Sequence, residues 1–232
     1  MAFSHENLEL PPDFSGIVRL FPLPNLVLFP GVIQGLHIFE PRYLELMKDA
    51  LAADGLITIA LMKPEWELAG STLPPVHETV CIGKVLTHSE AEDGRYNLLL
   101  IGLQRARIVR EIGSKKPYRL AQVDVLTGPL DDSQCERDLL RHELLEQFRV
   151  FAKARGLLEN DSIRRLLEQD VPFSLLVDLL GFSTGASSDQ LQDILETVNL
   201  EVRGKKVLQL LRFHLSQIQD HGADFPPKFS TN

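Results

Sequence analysis

The chain has 232 residues, of which 44% are hydrophobic and 24% are charged, and its formal net charge is −8. This composition is that of an ordinary globular protein and excludes a collagen-like, coiled-coil or wholly disordered chain. The negative charge disfavours a non-specific nucleic-acid binder, because neutralising phosphates requires clustered Lys and Arg. A chain of this length buries about 70% of its unfolded surface, so it needs neither a metal nor a disulfide to fold.

The first half of the chain alternates short apolar runs with Pro and Gly, a pattern typical of a β-rich domain. A single helix is predicted over residues 41–53, where Pro41 suits the first turn because its missing N–H would have no partner there. Gly35 lies within the run before this helix and indicates a bulge or bend. The runs around the helix predict strands over residues 17–20, 32–39 and 56–62.

Four more apolar runs follow before the pattern changes. The dipeptide Asp93-Gly94 tolerates the positive φ angles of a hairpin turn and separates the first two runs. Gly113 separates the last two. All of these segments together predict roughly seven or eight short strands in a barrel-like, mostly antiparallel sheet with short connections. The four later strands are predicted over residues 80–88, 95–101, 104–112 and 118–126.

After Gly128-Pro129 the apolar residues recur with a helical period. Capping boxes at Ser133–Glu136 and Ser187–Gln190 each predict the start of a helix. Gly204 lowers the intrinsic stability of the last helix by about 1 kcal/mol relative to Ala. Five such helices predict a small bundle, so the expected fold class is α+β. The predicted organisation is an extension over 1–16, a barrel over 17–130, a helical bundle over 131–219 and a flexible tail over 220–232.

Motifs for enzyme chemistry are absent from the sequence. A phosphate-binding loop would read G-x-x-x-x-G-K-[ST], but neither Gly83-Lys84 nor Gly204-Lys205 has the required earlier Gly or a following Ser or Thr. The chain also lacks a G-x-S-x-G nucleophile elbow and an S-x-x-K pair. We therefore predict no catalytic residue, no cofactor and no enzyme activity.

The nearest approach to a metal motif is the segment His142-Glu143-Leu-Leu-Glu146. It begins like the zinc-binding H-E-x-x-H, but it has Glu where the second imidazole is needed. We interpret it as the solvated face of an amphipathic helix and predict no metal site. The chain has two cysteines, Cys81 and Cys135, too few for a cysteine-only zinc site or a disulfide scaffold. Both are expected to be reduced thiols in a cytoplasmic protein.

Bulky apolar residues near the predicted turns are candidate contacts for a bound peptide. If they are exposed together, they form a patch that can grip unfolded or apolar segments. Trp66 stands out, because a Trp in a loop near a Met is a common adaptable contact. The alternative for each residue is ordinary core packing. The candidates are Phe29, Phe39, Met62 and Trp66.

Basic residues are concentrated in one stretch, in which Glu111 is the only acidic residue. Arg105 and Arg107 fall on the same face of a strand by alternation. This basic strip predicts either a local site for an anion or RNA, or the exposed face of two paired strands. The acidic charge of the whole chain favours the second interpretation. The members of the strip are Arg105, Arg107, Arg110, Lys115, Lys116 and Arg119.

Three segments carry a more specific pattern, at residues 18–31 (VRLFPLPNLVLFPG), 36–43 (LHIFEPRY) and 100–108 (LIGLQRARI). In these segments the chain resembles the N-terminal domain of Lon, the ATP-dependent protease La. The resemblance extends over most of the chain, from about residue 17 to 215, and implies a PUA-like β-barrel followed by a helical bundle. Further similar segments lie at 80–85, 118–123, 173–180 and 191–196.

The resemblance also implies a stand-alone, non-catalytic module that recognises proteins or peptides. The family's ATPase and Ser–Lys protease domains are expected to be absent, since the chain ends before either could begin. The implied partners are unfolded or degron-bearing polypeptides, together with a protease that could receive them. No signal peptide and no membrane-spanning apolar run occurs, so we expect a cytoplasmic protein and no membrane partner. RNA binding through the basic strip is the alternative function, and an enzyme with an unrecognised site is a third.

Overall fold

The computed structural model describes residues 9–64, 74–128 and 134–221. The chain divides between Thr127 and Gly128 into one unit built on a β-sheet and a second unit that is helical. The α+β class predicted from the sequence is therefore confirmed. Among the described helices, none is both long enough and apolar enough to cross a membrane.

Within its described residues, the first unit contains six strands and one helix, fewer strands than the sequence predicts. The difference arises because the predicted strands over 95–101 and 104–112 are one continuous strand, which passes through Gly102 without a break. The helix begins at Pro41, as predicted. The elements are β1 (Ile17–Leu23), β2 (Ile33–Ile38), α1 (Pro41–Ala52), β3 (Leu56–Leu61), β4 (Thr79–Glu90), β5 (Tyr96–Ile112) and β6 (Arg119–Val125).

The strands form a six-stranded sheet in the order β2–β5–β4–β3–β1–β6. Neighbouring strands are antiparallel except for β1 and β3. The long β5 pairs with β2 through its first part and with β6 through its last part. The pairings β5–β4–β3–β1–β6–β5 therefore make a closed circuit, while β2 lies outside it. The predicted mostly antiparallel sheet is confirmed; it is not a strict barrel, because β2 branches from β5.

The irregularities of the sheet lie outside the β2–β5 pairing. The strand β2 pairs with β5 without a register shift, so it has no bulge at Gly35, one of the two features predicted there. Bulges bend the strands that contain them, and here they occur along strands of the closed circuit. The register shifts are found in the β4–β5 and β5–β6 pairs, at Ile82/Gly83, Val85/Thr87 and Ile108/Arg110.

The hairpin predicted at Asp93-Gly94 is confirmed as the connection between β4 and β5. Gly94 has a φ of +78° and donates its N–H to the carbonyl of Ala91 at 2.9 Å. Glycine adopts this left-handed conformation without a steric penalty. The paired strands bury a core cluster by alternation of their side chains, and it includes Val18, Leu20, Leu56, Ile82, Leu103 and Val123.

The described part of the second unit contains five α-helices and a short 3₁₀ turn. The capping box predicted at Ser187–Gln190 is confirmed: the Gln190 N–H donates to Ser187 Oγ at 3.4 Å, and the Ser187 N–H donates to Gln190 Oε1 at 3.1 Å. The box predicted at Ser133–Glu136 begins outside the described residues. The helices are α2 (Gln134–Ala154), α3 (Asp161–Glu168), α4 (Phe173–Ser183), α5 (Ser188–Glu196) and α6 (Leu200–His221), and the 3₁₀ turn covers Leu157–Glu159.

Gly204 has a packing role in α6 that its low helix propensity conceals. A Cβ atom at this position would lie 2.9 Å from Leu140 Cδ2 and 3.5 Å from Phe173 Cζ. Such a contact would require the Leu140 side chain to move. The glycine therefore lets α2 and α6 approach closely. The packing gained in this way offsets the loss of about 1 kcal/mol in helix stability that Gly causes relative to Ala.

His214 is a buried histidine in the core of the helical unit. Its ring meets the ring of Phe151 edge-on, with the centroids 6.2 Å apart at 86°. Neither ring nitrogen has a hydrogen-bond partner among the described residues. Burial, with a smaller contribution from the positive charge of Arg155, lowers the pKa of His214 below 6.5. The folded protein therefore holds this imidazole neutral at pH values where an unfolded chain would protonate it.

This difference predicts a loss of stability in mild acid. Below about pH 6.5 the unfolded state gains a proton that the folded state does not bind, so the free energy of unfolding falls as the pH decreases through this window. The loss approaches about 1.4 kcal/mol per pH unit until the folded-state pKa is reached. His214→Phe should reduce this slope, as measured by urea denaturation at about pH 5.5 and 7.5. His142→Gln, on the exposed side of α2, is the control. Equal slopes for His214→Phe and the parent protein would contradict the prediction.

Candidate functional site

The edge of the sheet formed by β2 carries exposed apolar side chains. Among the described residues, this strand pairs with β5 alone. Ile33 on β2 and Leu99 on β5 are exposed, and Phe39, which follows β2, is 59% exposed. Together with the exposed His37, these residues form the surface that we call the β2 patch (Ile33, His37, Phe39 and Leu99).

The pairing of β2 with β5 sets the geometry of the β2 patch. Gly35 lies directly opposite Leu99, and a Cβ atom at Gly35 would be 3.8 Å from Leu99 Cδ2. The leucine side chain therefore lies next to the Gly35 backbone, where no opposing side chain covers it. The His37 ring stacks on the Phe39 ring, with centroids 6.0 Å apart and planes at 29°. His37 Nδ1 is 2.8 Å from Asn97 Oδ1 on the opposite strand. This hydrogen bond orients the imidazole, and the imidazole in turn supports the exposed phenyl ring.

The β2 patch contains no Lys, Arg, Asp or Glu. The two charged residues that follow it pair with each other, since Arg42 Nη2 is 2.8 Å from Glu40 Oε2. The Arg42 guanidinium also lies 4.6 Å from the centroid of the Tyr43 ring. Binding at the patch would therefore rest on burial of apolar surface rather than on attraction between charges.

The candidate peptide contacts from the sequence occupy different environments. Phe39 lies in the β2 patch and is available to a ligand. Phe29 is fully buried, with the guanidinium carbon of Arg105 5.8 Å from the centroid of its ring, so the folded structure offers it no contact with a peptide. Met62 is half-buried and forms an isolated bridge with Val76. Trp66 lies outside the described residues.

Sequence reasoning did not identify Ile33, His37 and Leu99 as candidate contacts for a peptide. Alternation along β2 places Ile33 and His37 on one face, but it does not say which face meets solvent. Leu99 belongs to the apolar run LLLI at residues 98–101, which is typical of a strand buried on both faces. No signal within that run distinguishes Leu99, and only its pairing opposite Gly35 leaves it exposed.

Members of the basic strip are separated by burial and by ion pairs. Arg105 is buried, although the sequence places it on one strand face with Arg107, which is exposed. Arg119 donates from Nε to Glu111 Oε2 at 2.8 Å and from Nη1 to the carbonyl of Pro74 at 2.7 Å. The positive charges of Arg105 and Arg119, the first and last members of the strip, are therefore buried or paired within the unit.

Lys116 is bound to carboxylates of α1. Its Nζ lies 2.7 Å from Asp49 Oδ2 and 3.5 Å from Glu45 Oε1. The Tyr118 hydroxyl also donates to Asp49 Oδ2. These two hydrogen bonds lower the pKa of the Asp49 carboxyl, and the bond from Lys116 has the larger effect. The lysine thus contributes to attachment of the loop before β6 to α1 rather than to a free cationic surface.

The remaining members of the strip are exposed but dispersed. Arg110 donates from Nε to the neutral side chain of Gln122 at 3.0 Å. Arg107 and Lys115 are exposed on β5 and on the following loop. The structure therefore does not bring the six predicted cations together into one continuous face.

The described residues hold no group of three His, Cys, Asp or Glu side chains that could bind a metal ion. In the segment that resembles a zinc motif, Glu143 pairs with Arg212 and Glu146 with Arg149. Cys81 is a buried thiol on β4, and the side chain of Cys135 lies outside the described residues.

Comparison with known proteins gives a consistent result over most of the chain. A family model described as the ATP-dependent protease La (LON) substrate-binding domain matches residues 17–212. The Lon protease of Dictyoglomus thermophilum is 24% identical over 207 residues, which make up 89% of this chain and 26% of that protein. The chain spans about a quarter of the length of the curated relatives it matches.

Solved structures show the same fold. The N-terminal domain of Mycobacterium avium complex Lon protease superposes with a TM-score of 0.68 at 18% identity, over 85% of this chain and 99% of that one. A Lon N-terminal domain protein from Xanthomonas campestris superposes with a TM-score of 0.59 at 22% identity, over 83% of this chain and 97% of that one.

Proposed function

The chain belongs to the family of Lon substrate-binding domains, and on this premise we propose that it is a non-catalytic module that binds unfolded or degron-bearing polypeptides. The observation that carries the proposal is the β2 patch, a largely apolar surface without Lys, Arg, Asp or Glu that is centred on the exposed Phe39. A protease is the proposed recipient of the bound polypeptide. The proposed setting is the cytoplasm, where Cys81 would remain reduced.

The physical basis of the proposal is burial of apolar surface. Unfolded segments expose side chains that a folded protein would bury, and the β2 patch can cover them. Burying on the order of 200 Å² of apolar surface contributes about 5 kcal/mol, before the costs of association and ordering are subtracted. We therefore expect weak binding, with a dissociation constant no tighter than about 200 μM from this surface alone, and little dependence on salt.

Replacing Phe39 by Ser should weaken binding of a permanently unfolded reporter protein by at least about tenfold, because the most exposed aromatic contact of the β2 patch is lost. Fluorescence anisotropy of the labelled reporter, at low and at physiological salt, measures the change. Phe213→Ser is the matched control, since Phe213 is a phenylalanine of similar exposure, 51%, on α6. Absence of reporter binding by the parent protein, or equal losses in both variants, would contradict the proposal.

RNA binding through the basic strip remains the alternative, and it has less support. Arg105 is buried, and Lys116 and Arg119 pair with carboxylates. An RNA complex would lose affinity steeply as the salt concentration rises, because it depends on counterion release from phosphates. The salt series in the anisotropy experiment therefore separates the two functions when a labelled RNA replaces the reporter.

A further inference from the structure

The backbone of β2 presents an open hydrogen-bonding edge. In an antiparallel ladder, alternate residues direct their N–H and C=O groups toward the partner strand, and the residues between them direct theirs away. The Gly102 N–H donates to the carbonyl of Val32 at 2.9 Å, which sets the phase of the ladder between these two segments. The groups of Ile33, Gly35 and His37 therefore point away from β5, toward the outer edge of the sheet.

No other described segment of the β-sheet unit covers this edge. Among the described residues of this unit, the contact to the edge outside the β2–β5 ladder comes from Gln34, whose Nε2 donates to the neighbouring Gly35 carbonyl at 3.0 Å. The outward-facing N–H and C=O groups of β2 recur at about 6.8 Å, the spacing of alternate residues in an extended strand. A second extended backbone matches this spacing.

The sequence of β2 does not block pairing at this edge. Proteins commonly protect edge strands with Lys, Pro or a bulge, but β2 reads IQGLHI and pairs without a register shift. Gly35 at its centre has no side chain, so a neighbouring backbone can approach. The apolar side chains of the β2 patch lie beside the same edge, where alternate side chains of an added strand would reach them.

We infer that an extended polypeptide segment with apolar or aromatic side chains at alternate positions binds by adding a strand to the outer edge of β2. Its backbone pairs with Ile33, Gly35 and His37, and its apolar side chains cover Leu99 and Phe39. This inference deepens the proposed function and rests on it. It adds backbone hydrogen bonds to the affinity that apolar burial provides, and it assigns the selectivity to the side chains on one face.

The size of the edge favours a peptide over a second copy of the chain. The six residues of β2 span about 20 Å. Pairing this edge with the same edge of another copy would bury on the order of 400 Å², well below the roughly 1,200 Å² of stable protein interfaces. A flexible peptide is not limited to the area of the edge, because its side chains can also contact the adjacent β2 patch.

The test uses the unmodified protein and a capped synthetic peptide of about eight residues that alternates Phe or Val with Ser or Thr. Two analogues carry N-methyl groups on alternate residues, one on the apolar positions and the other on the polar positions. An added strand directs only one of these two sets of N–H groups toward β2. We expect one analogue to lose at least about tenfold in affinity by fluorescence anisotropy, while the other binds like the parent peptide.

The outcomes separate this inference from the proposed function. If both analogues bind like the parent peptide, or if both lose affinity equally, no strand is added and the inference is wrong. The same holds if the unfolded reporter binds but the alternating peptide does not, and the proposed function then stands. If neither ligand binds, the proposed function itself fails. A concentration-dependent dimer that excludes the peptide would show that a second copy occupies the edge, which also overturns the inference.

Gly35→Pro provides a second test in the protein itself. Proline at this position removes one outward N–H and leaves the neighbouring residues to pair with β5. We expect at least about tenfold weaker peptide binding together with an unchanged circular dichroism spectrum. Unchanged binding by a folded Gly35→Pro variant would overturn the inference. If this variant does not fold, the peptide analogues still decide the question, because they require no change to the protein.

Discussion

Gly102→Ala is expected to lower the free energy of unfolding by at least about 3 kcal/mol. A Cβ atom at Gly102 would lie 2.1 Å from the carbonyl oxygen of Phe29 and 2.7 Å from its carbonyl carbon. These are backbone atoms, so the overlap cannot be relieved by rotating a side chain. The Gly102 carbonyl also accepts the Gly31 N–H at 2.8 Å, and this bond would be lost if the two segments separated.

The effect follows from contact between two segments that are distant in sequence. Phe29 and Gly31 belong to the segment over 18–31, and Gly102 belongs to the segment over 100–108. Both segments carry the resemblance to Lon, and in the structure their backbones are in direct contact. Because the Gly102 N–H also holds Val32, which precedes β2, the substitution is expected to disturb the proposed binding edge as well.

Urea denaturation of Gly102→Ala and of Gly35→Ala provides the measurement and its control. Gly35 is also in a strand of this sheet, but its added Cβ would meet only Leu99 Cδ2, at 3.8 Å, an ordinary contact. Gly35→Ala should change the free energy of unfolding by no more than about 1 kcal/mol, and in the stabilising direction, since alanine restricts the unfolded chain. Similar stabilities for Gly102→Ala and the parent protein would show that the close approach to Phe29 is not required.

Removing one partner of the buried ion pair between Arg203 and Asp178 should cost about 3–5 kcal/mol. Arg203 Nε lies 3.0 Å from Asp178 Oδ1, and the two side chains are only 5% and 2% exposed. Arg203 Nη1 also donates to the carbonyls of Thr197 at 2.7 Å and Val198 at 3.0 Å. The arginine therefore connects α6 to α4 and to the end of α5. Its loss would leave the buried Asp178 carboxylate without the arginine that balances its charge.

The single variants Asp178→Leu and Arg203→Met and the corresponding double variant test this prediction by thermal and urea denaturation. The double variant should recover part of the loss, because an apolar pair of similar volume leaves no buried charge without a partner. Recovery should be incomplete, since the carbonyls of Thr197 and Val198 would lack their donor. The control is Lys206→Ala in the same helix, whose exposed pair with Asp193 should contribute little. Costs of similar size for the buried and the exposed pair would contradict the argument.

Local features of the sequence predicted local structure well. The hairpin at Asp93-Gly94, the helix start at Pro41 and the capping box at Ser187–Gln190 are all confirmed. Each depends on residues that are close in the chain, so the required contacts are visible in the sequence. The same reasoning offered a bulge or a bend at Gly35, where the structure has no bulge, and it was wrong about a break within β5, because a glycine in a strand has several possible causes. The absence of a side chain at Gly102 allows the Phe29 backbone to approach closely, and no local sequence pattern predicts that contact.

The candidate site was less accessible to sequence reasoning than the fold. Phe39 was identified, and the structure shows it exposed, whereas Phe29 has the same residue type and a similar setting in the sequence but is fully buried. Arg105 and Arg107 are likewise adjacent members of one pattern, yet one is buried and the other exposed. Exposure depends on which segment packs against which face, and this is a property of the whole sheet.

By itself, the sequence determined the α+β class, the helix starts and turns, and the family through the segments over 18–31 and 100–108. These follow from residue periodicity, from backbone preferences and from residue patterns that one chain carries along its length. Only the tertiary structure decided that β2 lies outside the closed circuit of strands and that Leu99 lies exposed beside Phe39. It also decided that Lys116 of the basic strip binds the carboxylates of α1. The physical reason is that burial, ion pairing and a free strand edge arise from contacts between distant segments, whose partners are set only when the sheet assembles.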